Sequence, residues 1–448
     1  MSTLAKNSNA KKTVMNRRRF LKTASTAAIA PMILPSGVLA AKGNPGANDK
    51  LVIGQIGTGG QGRSHSKFLS GRNDVQVAAV CDVYDKHRQM GIDFTDGKAQ
   101  GYNDYRKLLE RKDLDAVVIA APDHWHGLMA VDAANAGLDV YVEKPASKTI
   151  EEGRAMLDAA RRNKIVMQVG SQGRSTRAAL DSCNYIRNGQ IGDVNKVVCW
   201  HYDNPVGGDP SKNGPAPNDL DWNMWLGPAR WVPYNPDRVH FNFRWMLDFG
   251  GGQIRDRGAH VLSVMSWCLD LDDKSPVRVH ATGVAPETGL WDCPTNLRVE
   301  YTFKNPDLTV IWEQPGVTPT KHTLGDNFHN QFGATYFGSK GELIIGGGDG
   351  GCFAEEAAKN YTPPANGFQA QKVRGHHQDW FDCIKSREKP IMDIEAGHQV
   401  AVMCILANLS YRIGRPIEWD GKKERIKNDD DANRLLGTPG RGEFRLNT

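Results

Sequence analysis

The feature that most constrains this chain is a glycine loop at the end of an apolar run. Leu51-Val52-Ile53-Gly54-Gln55-Ile56 leads straight into Gly57-Thr58-Gly59-Gly60-Gln61-Gly62, a G-x-G-x-x-G pattern that follows a strand and opens a helix. The first glycine permits a tight turn, the second lets backbone approach a pyrophosphate, and the third lets helix pack on strand. Gly57, Gly59, Gly60, Gln61 and Gly62 are therefore candidates to cradle a dinucleotide. Asp82 ends the next apolar run, Val75–Cys81, about 20 residues on, where an acid hydrogen-bonds ribose hydroxyls and repels a 2′-phosphate. NAD is expected over NADP.

Further short apolar runs at 116–120, 140–142 and 165–169 alternate with helical patterns at 64–70, 128–136 and 151–162. Short buried strands separated by helices predict an α/β domain with a doubly wound, mostly parallel sheet. After residue 170 the pattern changes. A helix (178–187) and a strand (194–202) lead into a Pro/Gly/Asn-rich excursion, 204–237, followed by strand candidates at 277–284, 296–303, 308–313, 335–338 and 342–345. These predict a second, α+β domain on an open, mostly antiparallel sheet, with a late helix (395–412) packed on the body. The expected organisation is a leader at 1–40, a linker at 41–49, a dinucleotide-binding domain at 50–170, a second domain at 171–420 and a polar tail at 421–448, whose charged stretch 422–431 is expected at the surface.

The leader reads as an export signal. Asn16-Arg17-Arg18-Arg19-Phe20-Leu21-Lys22 has the form of a twin-arginine box, followed by an Ala-rich stretch (24–30), breakers Pro31, Pro35 and Gly37, and small residues Ala40-Ala41. The apolar stretch is too short to span a bilayer, so cleavage rather than a retained anchor is expected. The twin-arginine route carries folded proteins, which places the mature chain in the periplasm with the Tat export machinery as a partner. A cofactor loaded before export would stay tightly bound, because free nicotinamide is scarce outside the inner membrane. Of the net charge of +5, much belongs to the leader, so the remainder carries no electrostatic case for nucleic acid or anionic membrane. The eight cysteines form no C-x-x-C pair and read as buried free thiols.

Two loops at strand ends carry chemistry. Ala120-Ala121-Pro122-Asp123-His124-Trp125-His126 lies at the carboxyl edge of the sheet, where such folds bind ligands. Pro122 and His126 are assigned to the nicotinamide side of the cleft, with helix capping as the alternative. His124-x-His126 lacks nearby acidic or thiolate partners and predicts no metal. In Tyr141-Val142-Glu143-Lys144-Pro145, a lysine at a strand's carboxyl end has a chemical use: its ammonium can hydrogen-bond a substrate hydroxyl. Glu143 beside it joins the cofactor candidates.

Taken in order, the glycine loop, the Pro122 loop, the Glu143-Lys144-Pro145 tripeptide and Phe249-Gly250-Gly251-Gly252-Gln253-Ile254-Arg255-Asp256-Arg257-Gly258-Ala259-His260 resemble the Gfo/Idh/MocA oxidoreductases. The resemblance implies a Rossmann domain and hydride transfer between nicotinamide and a sugar or cyclitol carbon bearing a hydroxyl. It places Asp256 and His260 on a helix entering the site, where i,i+4 spacing puts both on one face. His260 then takes the hydroxyl proton, Lys144 holds and polarises the same oxygen, and Asp256 orients substrate or imidazole. Aromatic residues crowd 222–245, and Arg244 and Trp245, nearest that helix, are the weaker substrate candidates. The expectation is an exported, homo-oligomeric oxidoreductase with retained NAD, acting on a sugar, pyranoside or cyclitol hydroxyl of a small-molecule carbohydrate. The alternative is a redox-neutral, NAD-dependent glycoside hydrolase or lyase resembling glycoside hydrolase family 109. A non-catalytic binding protein is disfavoured by intact Lys144 and His260. Replacing Arg17 and Arg18 by lysine is expected to strand the precursor in the cytoplasm; cell fractionation that finds it still exported would remove the leader assignment.

Overall fold

The fold was obtained as a computed structural model, which describes residues 50–315, 332–348 and 351–446. The leader and linker fall outside these. The first apolar run forms β1 (Leu51–Ile56), the later ones form β2 (Val75–Cys81), β4 (Ala116–Ile119), β5 (Asp139–Val142) and β6 (Met167–Val169), and a short exposed strand that no apolar run announced, β3 (Gln100–Tyr102), lies between β2 and β4 in the chain. They align as one parallel sheet in the order β3-β2-β1-β4-β5-β6. Strand periodicity sends alternate residues to opposite faces, so Val117, Ile119, Val140 and Val142 join one core while Ile53, Val118 and Tyr141 join another.

The face carrying Ile53 and Tyr141 is closed by a helix from far along the chain. His376–Ser386 packs Trp380, Phe381, Cys383 and Ile384 onto it, and Arg387 donates to Asp139 at 2.8 and 2.9 Å. The expected boundary at residue 170 therefore does not separate the packing units. A parallel sheet needs both faces covered, and here the second half of the chain supplies part of the cover.

The second sheet contains β7 (Val194–His201), β8 (Arg278–Val284), β9 (Thr295–Lys304), β10 (Asp307–Glu313), β11 (Phe332–Gly338), β12 (Gly341–Gly348), β13 (Gly351–Ala354), β14 (Ile417–Asp420) and β15 (Arg425–Ile426). Its order is β13-β12-β11-β7-β10-β9-β8-β14-β15. Only β7 and β10 pair in parallel; the other neighbours are antiparallel. The largely antiparallel open sheet expected from the sequence is what forms. The long helix Ile394–Ile413 is nearly all buried and lies across β8 and the helix Ile150–Asn163. Among the described residues, no helix is long and apolar enough to cross a membrane.

The charged stretch 422–431 lies largely at the surface, with Ile426 buried, and beyond it Ala432, Leu436 and Phe444 are buried as well. The Phe444 ring meets Trp125 edge-on at 5.4 Å, with the guanidinium groups of Arg106 and Arg441 5.5 and 5.3 Å from its centroid. Sparse apolar residues among charged ones anchor the tail, and Arg441 and Glu443 beside them bond Asn223 and Arg106. Phe444→Ala should therefore destabilise the fold by about 3 kcal/mol, the usual loss for a buried phenylalanine. Chemical denaturation showing a change within about 0.5 kcal/mol, as at an ordinary surface position, would contradict this docking.

Candidate active site

The glycine loop owes its shape to backbone crowding and one buried amide. Gly57 sits at φ +85°, and a Cβ there would lie 2.5 Å from the Ala120 carbonyl oxygen. Gln55, fully buried in β1, donates from Nε2 to the carbonyls of Gly57 (3.1 Å) and Gly62 (2.7 Å) and accepts from Ser66 Oγ at 2.9 Å. The helix Gly60–Ser70 starts without a side-chain cap, and Gly60 has open space where a side chain would be. An uncapped N-terminus with exposed N–H groups suits an anion. Gly62 is not in the cleft lining: its missing Cβ would fall 2.2 Å from the Gly57 carbonyl oxygen, so it serves helix-on-strand packing.

This loop opens one end of a cleft of about 1100 Å³. Gly57, Gly59, Gly60, Gln61, Asp82, Pro122, His126, Glu143, Lys144, Arg244, Asp256 and His260 all line it. Asp82 accepts from the Thr58 N–H (2.9 Å) and the Tyr84 N–H (3.0 Å) and lies beside the loop. The basic residues nearby have their own partners: Arg88 bonds Asp85 at 2.6 Å and the Asp82 carbonyl at 3.0 Å, and Lys86 pairs with Asp219 at 3.3 Å. His126 lies in the cleft wall, its two ring nitrogens each 2.8 Å from a carbonyl oxygen, of Pro145 and of Ala121, so that it also braces two loops. His124 faces the Trp225 carbonyl at 2.9 Å among aromatic rings and is a core residue.

Lys144 reaches from the edge of the first sheet into the second half of the chain. Its ammonium pairs with Asp256 Oδ1 and also donates to the Asp256 main-chain carbonyl at 3.3 Å. That second contact explains a departure from the expected helix. In an unbroken helix the Asp256 carbonyl would accept from the His260 N–H four residues on. Here the His260 N–H donates to Arg257 instead, at 3.0 Å, and the segment splits into Gln253–Asp256 and Gly258–Cys268. Arg257 keeps helical angles, φ −93° and ψ −32°, so Asp256 and His260 still face one cleft.

Asp256 also accepts from Arg244 Nε at 3.2 Å and has Arg257 Nε at 3.7 Å. Burial pushes this carboxyl up, but the charges of Lys144 and Arg244, the Lys144 hydrogen bond and Arg257 together hold it well below the usual carboxylate range. Glu143 is likewise buried and anionic. Burial raises it, while the His65 hydrogen bond (2.9 Å) and the charges of His65 and Lys144 bring it down to about 2. Gln172, which sequence reasoning missed, donates to Glu143 at 3.0 Å and to the Tyr141 hydroxyl at 3.1 Å. Trp245, by contrast, does not line the cleft. Neighbours on a 3₁₀ turn point about 120° apart. In the turn His240–Trp245, Arg244 therefore enters the cleft while Trp245 is buried with its carbonyl accepting from Asp292 and Cys293.

Comparison with known proteins identifies the class. Residues 51–171 match the description "Oxidoreductase family, NAD-binding Rossmann fold", and residues 192–314 and 365–446 match "Oxidoreductase family, C-terminal alpha/beta domain". The chain belongs to the Gfo/Idh/MocA oxidoreductase family. An inositol 2-dehydrogenase from Salmonella paratyphi B is 33% identical over 154 residues, covering 34% of this chain and 46% of that protein. A glycosyl hydrolase family 109 protein from Shewanella pealeana is 31% identical over 208 residues, covering 40% of this chain and 44% of its own. The chain thus spans less than half the length of these curated relatives. Among solved structures, the WlbA dehydrogenase from Bordetella pertussis, in complex with NADH and UDP-GlcNAcA, superposes with a TM-score of 0.61 at 17% identity, covering 83% of this chain and 99% of that one. Levoglucosan dehydrogenase, in complex with NADH and levoglucosan, gives 0.57 at 19%, covering 82% and 99%. At these identities the structures establish the fold.

Burial and then the neighbouring Lys144 charge lower the His260 imidazole from its ordinary 6.5 to about 3. The folded value lies below the unfolded one, so acid favours the unfolded chain as pH falls from 6.5 toward 3. His260 should therefore stay neutral well below pH 6.5 in an NMR titration, identified by loss of its signal in His260→Ala. Titration near 6.5 would show that the folded site does not exert this control.

Proposed function

We propose that this chain is an NAD-dependent oxidoreductase acting on a hydroxyl-bearing carbon of a sugar, pyranoside or cyclitol, with Lys144, Asp256 and His260 as its chemical centre. The observation that carries this reading is that Lys144 and Asp256 are joined, with His260 facing the same cleft as the glycine loop. The site fits the dinucleotide: an open, uncapped helix start for the pyrophosphate and Asp82 for the ribose hydroxyls. Gly57, Gly59, Gly60 and Gln61 would hold the pyrophosphate. The committed Arg88 and Lys86, with Asp82 at the ribose, support NAD over NADP. When bound, NAD supplies a hydride acceptor at nicotinamide C4.

The chain's own residues manage the proton. Lys144 Nζ, fixed by Asp256, is placed to donate to the substrate oxygen and stabilise negative charge developing on it. Neutral His260 has a ring nitrogen free in protonation terms to take the hydroxyl proton. Asp256 holds Lys144 and Arg244 in register, and Arg244 stands as a substrate contact, its guanidinium 4.5 and 4.7 Å from the Phe241 and Phe243 rings. The twin-arginine leader supports export to the periplasm through the Tat machinery with NAD already loaded and tightly held, and a homo-oligomer is the expected assembly.

The family 109 similarity over 208 residues supports a second reading, a redox-neutral glycoside hydrolase or lyase using the same groups. Lys144→Met and His260→Ala should each slow hydride transfer by about two to four orders of magnitude, the range of general acid–base catalysis, while leaving NAD binding nearly intact. Near-normal single-turnover reduction of bound nicotinamide in either variant would defeat the assignment. Release of the aryl group from aryl glycosides, without net change at the nicotinamide absorbance band, would select the second reading.

A further inference from the structure

The cleft carries a bare aromatic ring close to the Lys144–Asp256 pair. Among the exposed large apolar side chains of the described residues, Phe241 alone lines the cleft, and it is 58% exposed. Leaving a phenylalanine open to water forgoes the burial that normally draws such a ring inside. A ring left open in a ligand cleft is accounted for by a ligand that covers it.

Phe241 is held as a fixed plane. It lies in the 3₁₀ turn His240–Trp245, and its carbonyl accepts from Arg244 Nη1 at 3.2 Å. The Arg244 guanidinium sits 4.5 Å from the ring centroid, and the ring of Trp245, itself buried, meets Phe241 at 5.8 Å and 63°. The Phe241 ring is thus braced by two neighbours while most of it stays open. An aromatic side chain with two χ angles gives up little freedom when a ligand stacks on it.

The same guanidinium ties this ring to the reaction centre. Arg244 donates from Nε to Asp256 at 3.2 Å, and Asp256 holds Lys144, so one guanidinium separates the exposed ring from the carboxylate of the centre. Among the described residues, Arg244 Nη2 has no hydrogen-bond partner. An open aromatic plane beside a free polar edge is the pairing that binds a pyranose, whose C–H face is apolar and whose rim is polar. A free hexose or cyclitol held at Lys144 has no second ring with which to cover Phe241. A glycoside does.

We propose that the substrate is a glycoside of at least two rings: one pyranose is oxidised at Lys144 and His260, and the ring joined to it stacks on Phe241, with Arg244 Nη2 donating to its oxygens. This rests on the reading that a sugar hydroxyl reacts at Lys144 and His260. Phe241 then selects glycosides over monosaccharides and cyclitols without touching the reacting carbon.

The test uses the full chain loaded with NAD. The rate of reduction of bound nicotinamide is measured against concentration for glucose, galactose and myo-inositol, and for maltose, cellobiose and lactose. The best disaccharide should react with a larger second-order rate constant than its component monosaccharide. Phe241→Ala should lower that ratio about fivefold to tenfold through weaker binding, as for loss of one aromatic partner, and Phe241→Trp should preserve it. Saturation-transfer NMR should show both rings of the bound disaccharide in contact with the unsubstituted chain and one ring in Phe241→Ala. Equal handling of monosaccharide and disaccharide by the unsubstituted chain, or an unchanged ratio in Phe241→Ala, would overturn the second-ring subsite and leave the oxidoreductase reading standing. Weaker NAD binding in Phe241→Ala would overturn it by giving the ring to the cofactor. A changed sedimentation coefficient would overturn it by giving the ring to a second copy of the chain. If none of the sugars reduces the bound nicotinamide, the oxidoreductase reading fails, and the NMR comparison alone decides whether Phe241 holds a second ring.

Discussion

The interaction on which the site depends is the buried ion pair between Lys144 and Asp256. It joins the carboxyl edge of the first sheet to a helix of the second half, so the reacting groups exist as a set only when both halves are packed. Taking two charges out of water costs several kcal/mol per ion, and such a pair is seldom a net source of stability. Its value lies in specificity of arrangement. Asp256 accepts from both Lys144 and Arg244, and its main-chain carbonyl is drawn out of the helix as well, so one residue fixes an ammonium, a guanidinium and the local course of the backbone. The break at Arg257 follows from this, because the carbonyl that would have continued the helix faces Lys144.

Around that pair, two carboxylates and one imidazole are driven to definite states. Buried Glu143 relies on His65, Gln172 and the Lys144 main-chain N–H, the last at 3.2 Å. His65 in turn contacts His377 at 2.9 Å, on the helix His376–Ser386 that covers the first sheet. The helix missed as a partner of the first domain therefore also buttresses the acid next to Lys144. Packing and charge placement are one problem here, since the same element that closes the core closes the hydrogen-bond network.

Much of this was legible in the sequence because it rests on local rules. The glycine loop and the alternation of strands and helices in the first half follow from spacing that chain geometry interprets directly, while Asp256 and His260 were singled out by the family resemblance. What was not legible depends on long-range packing. Nothing local says that Trp380 and Phe381 cover the first sheet, or that Phe444 docks on Trp125. Trp245 was chosen for its nearness in sequence to Gln253–Asp256, and the 3₁₀ turn puts it in the core instead. Gln55 left a trace, a lone amide inside an apolar run, which is the mark of a buried group with fixed hydrogen-bonding duties. Gln172 left none, since it opens a 3₁₀ turn whose partners, Tyr141 and Glu143, lie some thirty residues earlier at the end of β5.

The electrostatics of the centre also limit what kind of chemistry it favours. An imidazole held near 3 by burial and an adjacent ammonium is a weak proton acceptor. It takes a proton only while the donor oxygen is itself acidified by Lys144, and it gives that proton back readily. A base meant to pass protons irreversibly to solvent would be better matched to the ambient pH. A base that holds its proton weakly suits a cycle in which proton and hydride both leave the substrate and later return to it or to a successor.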